Sequence, residues 1–229
     1  LTVSDFRQKH IAAGGEGAPL VVYGDYALFT DDIENRILVN IGGMANLTWL
    51  PANATIDQVK TTDTGPGNKL IDLAVNLMNS DLFYDEGGKI AAIGSLNSEV
   101  LEKMINDSFF LKVFPKSTGT EYFNSDWLLR FSENLSHVDR IKTLTALTAQ
   151  SIILACESVA QNQSYTLYLS GGGAHNKTLV ELVKRYAKEN SIKIFDELGF
   201  SADSKEAVLF CWLAYQTLAG QSLTSPKSS

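Results

Sequence analysis

Three glycine clusters, each standing behind a β-favouring run, constrain what this chain can fold into. Gly42-Gly43 follows Arg36–Asn40, Gly65-Pro66-Gly67 follows a run ending at Thr62, and Gly171-Gly172-Gly173 follows Tyr165–Ser170. Glycine reaches positive φ and lets a backbone approach a ligand closely. Behind two of the clusters the pattern turns helical, and a helix start offers free N–H donors and about half a positive charge. One such cluster alone reads as a tight turn. Three in one chain, two of them opening helices, suit the phosphates and ribose of a nucleotide.

The rest of the pattern sets these clusters in a sheet. Arg36–Asn40 and Asn46–Leu50 form a hairpin with a glycine turn, and Ile56–Thr62 adds a third strand. Asn68–Ser80 is helical, with Leu70, Leu73, Ala74 and Leu77 on one face. Val100, Leu101, Met104 and Ile105 mark another helix, and Phe114–Asn124 reads as a loop. Asp139–Gln161 is a long amphipathic helix, followed by the strand Tyr165–Ser170, the helix Lys177–Glu189 and the strand Ser191–Phe195. Asp203–Ala219 closes as a helix whose face is Ala207, Phe210, Cys211, Ala214 and Leu218, before a polar tail from Gln221. Residues 11–19 read as a loop, and the opening LTVSDFR reads as lying inside a β-run. Hairpin first, α/β crossovers after: the order predicts a mixed sheet with helices on its faces. It is not the order of a doubly wound nucleotide fold, and neither G-x-G-x-x-G nor a P-loop motif occurs.

Charge and apolar content narrow the classes. A formal charge of −7 leaves no electrostatic footprint for nucleic acid, although backbone amides can still bind a phosphate. The longest unbroken apolar run, 207–215, is far shorter than the ~20 residues that span a bilayer. Cys156 and Cys211 both lie in apolar helical patterns and read as buried free thiols, which fits a reducing compartment. The chain of 229 residues is long enough for one large domain or two small ones.

Asp63 stands where the third strand ends and the Gly-Pro-Gly elbow begins. It reads either as an Asx-turn or cap acceptor that starts the elbow, or as a general base beside a phosphate-binding turn. Spacing leaves both readings open. Asp203-Ser-Lys-Glu206 has the form of a capping box before an apolar helix, which reads Glu206 as part of a helix cap.

The stretches NIGGMANLTWLP, TTDTGPGNKLID, FPKSTGTEYFNSDWL, LSGGGAHNKTL and SKEAVLFCWLA, with the opening VSDFRQKHIAAGGEGAPLV, resemble the anhydro-N-acetylmuramic acid kinases, in family order along the whole chain. The resemblance implies a ribonuclease-H-like lobe of the actin/hexokinase/heat-shock-70 ATPase fold, an α/β architecture with a mixed sheet flanked by helices. On that reading residues 1–30 lead from a first lobe, 31–198 form the second lobe, and 199–229 are a C-terminal helix and tail returning toward the cleft. The implied enzyme is cytoplasmic, uses ATP and Mg²⁺, and serves cell-wall recycling. It hydrolyses the 1,6-anhydro bond of the sugar and phosphorylates O6, giving N-acetylmuramic acid 6-phosphate.

Residue by residue, the resemblance makes Asp63 the base that activates water. It places Gly42, Gly43, Gly65, Gly67, Asn68, Gly171, Gly172, Gly173 and Asn176 around the nucleotide. Asp5, Arg7, Lys116 and Glu206 fall near the sugar, and no metal ligand is implied by any position here. Lys116 could equally be a solvated loop lysine. Thr120 departs from the pattern, which usually has Arg after KSTG, so any contact made by that arginine is lost or replaced. Family members also begin with a GTSLDG-type loop that this sequence lacks. The expectation is therefore a chain that binds sugar or nucleotide but does not turn over by itself, with an opened cleft that favours a homodimer. No nucleic-acid or membrane partner is expected.

Overall fold

A computed structural model describes residues 2–12 and 20–221. Its centre is one mixed sheet of β1 (Arg36–Ile41), β2 (Ala45–Leu50), β3 (Lys60–Gly65), β4 (Thr166–Ser170) and β5 (Ser191–Ile194). The strand order is β3-β2-β1-β4-β5. β1 and β2 are the expected antiparallel hairpin, with Arg36 opposite Leu50 and Ile41 opposite Ala45. β3 is antiparallel to β2, while β4 is parallel to β1 and β5 to β4. Four strands therefore run one way and β2 alone runs against them. This is the ribonuclease-H-like arrangement of the actin-type ATPase fold.

The helices are α1 (Phe6–Ala12), α2 (Val21–Phe29), α3 (Lys69–Met78), α4 (Lys89–Ile93), α5 (Ser98–Ile105), α6 (Ser125–Ser132), α7 (His137–Ala160), α8 (Lys177–Tyr186) and α9 (Lys205–Leu218). Strand side chains alternate between two faces, and each face has its own core. Ile37, Val39, Ile41, Leu47, Trp49, Leu167 and Leu169 pack with Ile141, Leu144, Leu147 and Ile152 of α7 and with α3, α5, α6 and α8. On the other face Leu38, Leu50 and Tyr168 meet Tyr23 and Phe29 of α2, Phe195, and Leu209 and Leu213 of α9. α7 is capped by the Ser136 hydroxyl, which accepts from Asp139 N. Among the described residues it is the one helix long and apolar enough to cross a membrane, and here it is the core helix of the sheet.

Several expectations are corrected. The opening is not in a strand: Thr2–Asp5 is irregular and α1 follows. Of the loop expected over 11–19, Ile11 and Ala12 end α1, and 13–19 lie outside the described residues, as does the tail beyond Gln221. VVYGDYALF, for which the sequence suggested no element, forms α2, and the missing side chain of Gly24 leaves the space that Leu209 of α9 fills. Ile56–Gln58 is a 3-10 turn, so β3 begins only at Lys60 and continues through Asp63 to Gly65. α3 buries Leu70, Ile71, Ala74 and Val75 and leaves Leu77 exposed, a face rotated by about one residue from the expected one.

α9 departs furthest. It buries Leu209 and Leu213, while Ala207, Cys211 and Leu218 are exposed. It lies at the periphery with one narrow contact stripe, so its apolar residues outnumber the positions that tertiary contact covers. Only one of the two thiols is buried as expected: Cys156 is, Cys211 is not.

Candidate functional site

The directions of the strands bring the three glycine clusters to one edge. β1, β3 and β4 point the same way, so Gly42-Gly43, Gly65–Gly67 and Gly171–Gly173 all leave the carboxyl ends of the sheet, where open α/β sheets bind ligands. Register adds a floor. Asn40 lies opposite Asn46, Asn46 opposite Asp63, and Ser170 beside Asn40. Paired residues share a face, so these four form a polar row on the α2/α9 side. One row further from the edge, Leu38, Thr48 and Tyr168 are buried. Asn40 and Asn46 are exposed and Asp63 is half-buried, so the covering helices stop short of the polar row.

The glycines divide into two kinds. Gly67, at φ 50°, lies against the carbonyls of Gly42 and Gly43, and a Cβ there would collide with both. Gly171, at φ 78°, lies against Asn40 and the Ile41 carbonyl, and Gly173 lies against the Ile41 side chain. A side chain at Gly65 would press on Phe110 and Ser151. At these positions glycine lets the chain approach itself. Gly43 has nothing within 4 Å of where a side chain would stand, and Gly172 has only Asn68 Nδ2 at 3.8 Å. These two face open space.

Asn68 joins the clusters. Its Nδ2 donates to Ile41 O at 3.1 Å, and its backbone N–H donates to Gly42 O at 2.8 Å. Lys69 N donates to Gly43 O at 3.0 Å. The amides of Asn68 and Lys69 are thus taken by the β1–β2 turn and are not offered to a ligand. From below, buried Thr148 of α7 donates to Gly67 O at 2.7 Å. Asn176 is 6% exposed and caps α8 by accepting from Leu179 N, a structural task the sequence did not assign to it.

Asp63 sits inside β3, with no turn of its own to make, and this removes the Asx-turn reading. Its N–H donates to Lys116 O at 2.9 Å, so residue 116 pairs along the free edge of β3. Thr118 N–H donates to Asp63 Oδ2 at 2.8 Å. Among the described residues none hydrogen-bonds Oδ1. Burial pushes the Asp63 carboxyl above the usual aspartate range, and the Thr118 N–H partly offsets that rise. One oxygen is held and the other is left to accept a proton.

Lys116 is buried, its Nζ donates to Phe109 O and Phe110 O at 3.1 Å each, and it lies over the rings of Phe114 at 4.3 Å and Phe109 at 4.5 Å. Burial, and to a lesser extent Lys112, pulls its pKa down to about 8. It is therefore not a solvated loop lysine: its ammonium is held in an internal cage. Glu206 is exposed in the first turn of α9. α9 starts at Lys205 after Ser204, which makes no side-chain cap bond, so Glu206 is second in the helix and the Asp203–Glu206 box has the wrong register. Asp5, at φ 62°, accepts from Ser4 Oγ, and Arg7 is exposed on α1, which joins the open face where Phe6 meets Phe210 at 5.7 Å.

Sequence reasoning passed over Asp25 and Lys205. Asp25, 1% exposed on α2, accepts from Thr48 Oγ1 at 2.7 Å. Lys205 Nζ lies 2.8 Å from its Oδ1 as an ion pair without hydrogen-bond geometry. The pair fixes the first turn of α9 beside the row just below Asn46. A lone Asp within VVYGDYALF was the available signal, since an isolated carboxylate in an apolar run needs a partner.

The family model for anhydro-N-acetylmuramic acid kinase matches residues 1–228. An anhydro-N-acetylmuramic acid kinase of Pseudoalteromonas atlantica is 44% identical over 227 residues, covering 96% of this chain and 57% of the relative. One from Caldanaerobacter subterraneus subsp. tengcongensis is 37% identical and covers 100% of this chain and 60% of the relative. One from Coxiella burnetii is 43% identical over 222 residues. The chain thus spans less than two thirds of the length of these relatives. Among solved structures, the activator of the 2-hydroxyisocaproyl-CoA dehydratase from Clostridium difficile, with bound ADPNP, overlaps 90% of this chain at a TM-score of 0.49 and 18% identity.

Proposed function

The chain belongs to the anhydro-N-acetylmuramic acid kinase family, and on that premise we propose that it carries the general base and part of the nucleotide wall of an ATP-dependent sugar kinase. The substrate is the 1,6-anhydro amino sugar, and the product is N-acetylmuramic acid 6-phosphate. The observation that carries the reading is Asp63: a half-buried carboxylate on the open row, one oxygen tied to Thr118 N–H, with a raised proton affinity.

Asp63 Oδ1 takes the proton of a water as the water oxygen adds to C1 of the sugar and the C1–O6 bond breaks. The freed O6 bonds the γ-phosphorus of ATP as the bond to the β–γ bridging oxygen breaks, and ADP leaves. Asn46 lies beside the base on the exposed row and Asn40 one strand further in, and both offer amides to sugar hydroxyl and acetamido groups. Glu206 stands in the helix turn that the Lys205–Asp25 pair secures to this face. Gly43 and Gly172 are the positions with open space for a nucleotide backbone, while Gly65, Gly67, Gly171 and Gly173 shape the edge by packing on the chain itself. Among the described residues no group of three or more His, Cys, Asp or Glu stands together as a metal site, and no protein ligand is assigned to magnesium.

Asp63→Asn tests the reading, in protein that carries this chain and turns over. Asn keeps the shape and accepts from Thr118 N–H but cannot take the proton, so the rate should fall about 10²–10⁴-fold with the fold intact. Retention of more than half the rate would sink the assignment.

A further inference from the structure

Asp63 is held on its outer side by a loop that needs an anchor of its own. Asp63 N–H donates to Lys116 O, Thr118 N–H donates to Asp63 Oδ2, and Thr62 Oγ1 bonds both the N–H and the carbonyl of Lys116. The same lysine sends its side chain the other way, into the turn at 109–110, where Nζ binds two carbonyls among three phenyl rings. Phe110 in turn is the residue packed over Gly65. Lys116 thus ties together two loops that touch β3 on either side of its last turn of chain.

We infer that Lys116 is a positioning residue for the base: its caged ammonium fixes the 116–118 segment so that Thr118 N–H holds one oxygen of Asp63 and leaves the other facing the open row. The inference rests on Asp63 being the base. It gives the buried lysine a task other than touching substrate. A buried ammonium is costly unless its donors are satisfied, and here two carbonyls and the ring faces take that role. The charge facing it is Lys112, whose Nζ lies over the same Phe109 ring at 6.0 Å.

The test reads Asp63 and Thr118 directly by NMR on the 229-residue chain, so it does not depend on turnover. In wild type the Thr118 amide proton should shift with the same midpoint as the Asp63 carboxyl carbon. Its hydrogen exchange should be slowed at least about tenfold against a free loop amide, as one hydrogen bond to a charged acceptor implies. Lys116→Met keeps the apolar stem but removes the donors. In that variant the exchange protection of Thr118 should be lost and the Asp63 midpoint should move up, since a donor that favours the ionised form is loosened. Lys116→Arg, which keeps charge and donors, should restore part of the protection. An unchanged Asp63 midpoint in a folded Lys116→Met chain overturns the anchor. If neither variant folds, an unprotected Thr118 amide in wild type overturns it equally. A failure of Asp63→Asn to lower turnover would remove the catalytic reading and leave these spectra unaffected.

Discussion

The two faces of the sheet follow different rules. On the α7 side, apolar side chains of four strands meet a 24-residue helix and its neighbours, and residues such as Ile37, Val39, Leu147 and Ile152 are entirely buried. Buried hydroxyls there bond backbone carbonyls, Thr145 to Ile141 O and Ser151 to Thr148 O within α7 and Thr148 across to Gly67 O, and the buried cations Lys116 and Arg140 likewise donate to carbonyls. On the α2/α9 side the core is smaller, an ion pair lies within it, and the row nearest the carboxyl edge is left polar and open. The closed face is built for packing density. The other gives up burial to keep carboxylate and amide groups accessible, and its helices are held by a few specific contacts in place of a wide apolar seam.

The largest effect should come from the closed face. Leu147→Ala leaves a cavity where nothing can collapse, at a cost of about 2–5 kcal/mol by denaturant unfolding. The matching change on the open row, Asn46→Ala, should fall within about 0.5 kcal/mol. Equal costs would erase the distinction. Next comes Asp25→Ala, which leaves Lys205 without its partner and Thr48 without its acceptor. Breaking a fully buried pair costs about 3–5 kcal/mol, and about 2–3 kcal/mol is expected here because Lys205 can turn to solvent. Proteolysis should then cut around α9 before it cuts α7. A globally cooperative loss would show that the open face is as integral to the core as the closed one.

The smallest effect sharpens the comparison through pH. Asp72, in the first turn of α3, has its pKa pushed up to about 6 by burial, with Lys69 offsetting only part of this. A raised folded pKa favours the protonated form. The stability it contributes is therefore complete only below the ordinary aspartate value and is lost as pH rises from there through about 6. Asp72→Asn should raise the melting temperature at pH 8 by about 2–4 °C, allowing for solvent screening of a half-exposed group, and leave it unchanged at about pH 3. A gain at both pH values would assign the effect to helix propensity.

Much of this was legible in the chain. Period-2 and period-3.6 patterns located β1, β2, β4 and α7 well, because these elements are buried along most of their length and burial imprints the period. β3, β5 and α9 were found with less of that imprint. The short α1, α4 and α6 and the helix α2 escaped. α2 has a strand-like composition, and its close packing through Gly24 against Leu209 is a tertiary contact that the local sequence does not show. The α9 face was misread for the opposite reason: the helix is apolar beyond what its contacts cover, so periodicity alone could not tell Leu209 from Cys211.

The site divides in the same way. By residue type and spacing the sequence determined a carboxylate near a strand end, three glycine clusters behind strands, and a family pattern running through all of them. Which glycines face open space and which pack on the chain was a tertiary decision, since the local motif is the same in both cases. So was the fate of Lys116, whose charge pointed to a ligand until two carbonyls 6 and 7 residues away in sequence proved to hold it. Asp63 shows both levels at once. Its identity was plain from the chain, but its orientation depends on an N–H contributed 55 residues further on, and contacts at that range exist only once the sheet and its edge loop have been brought together.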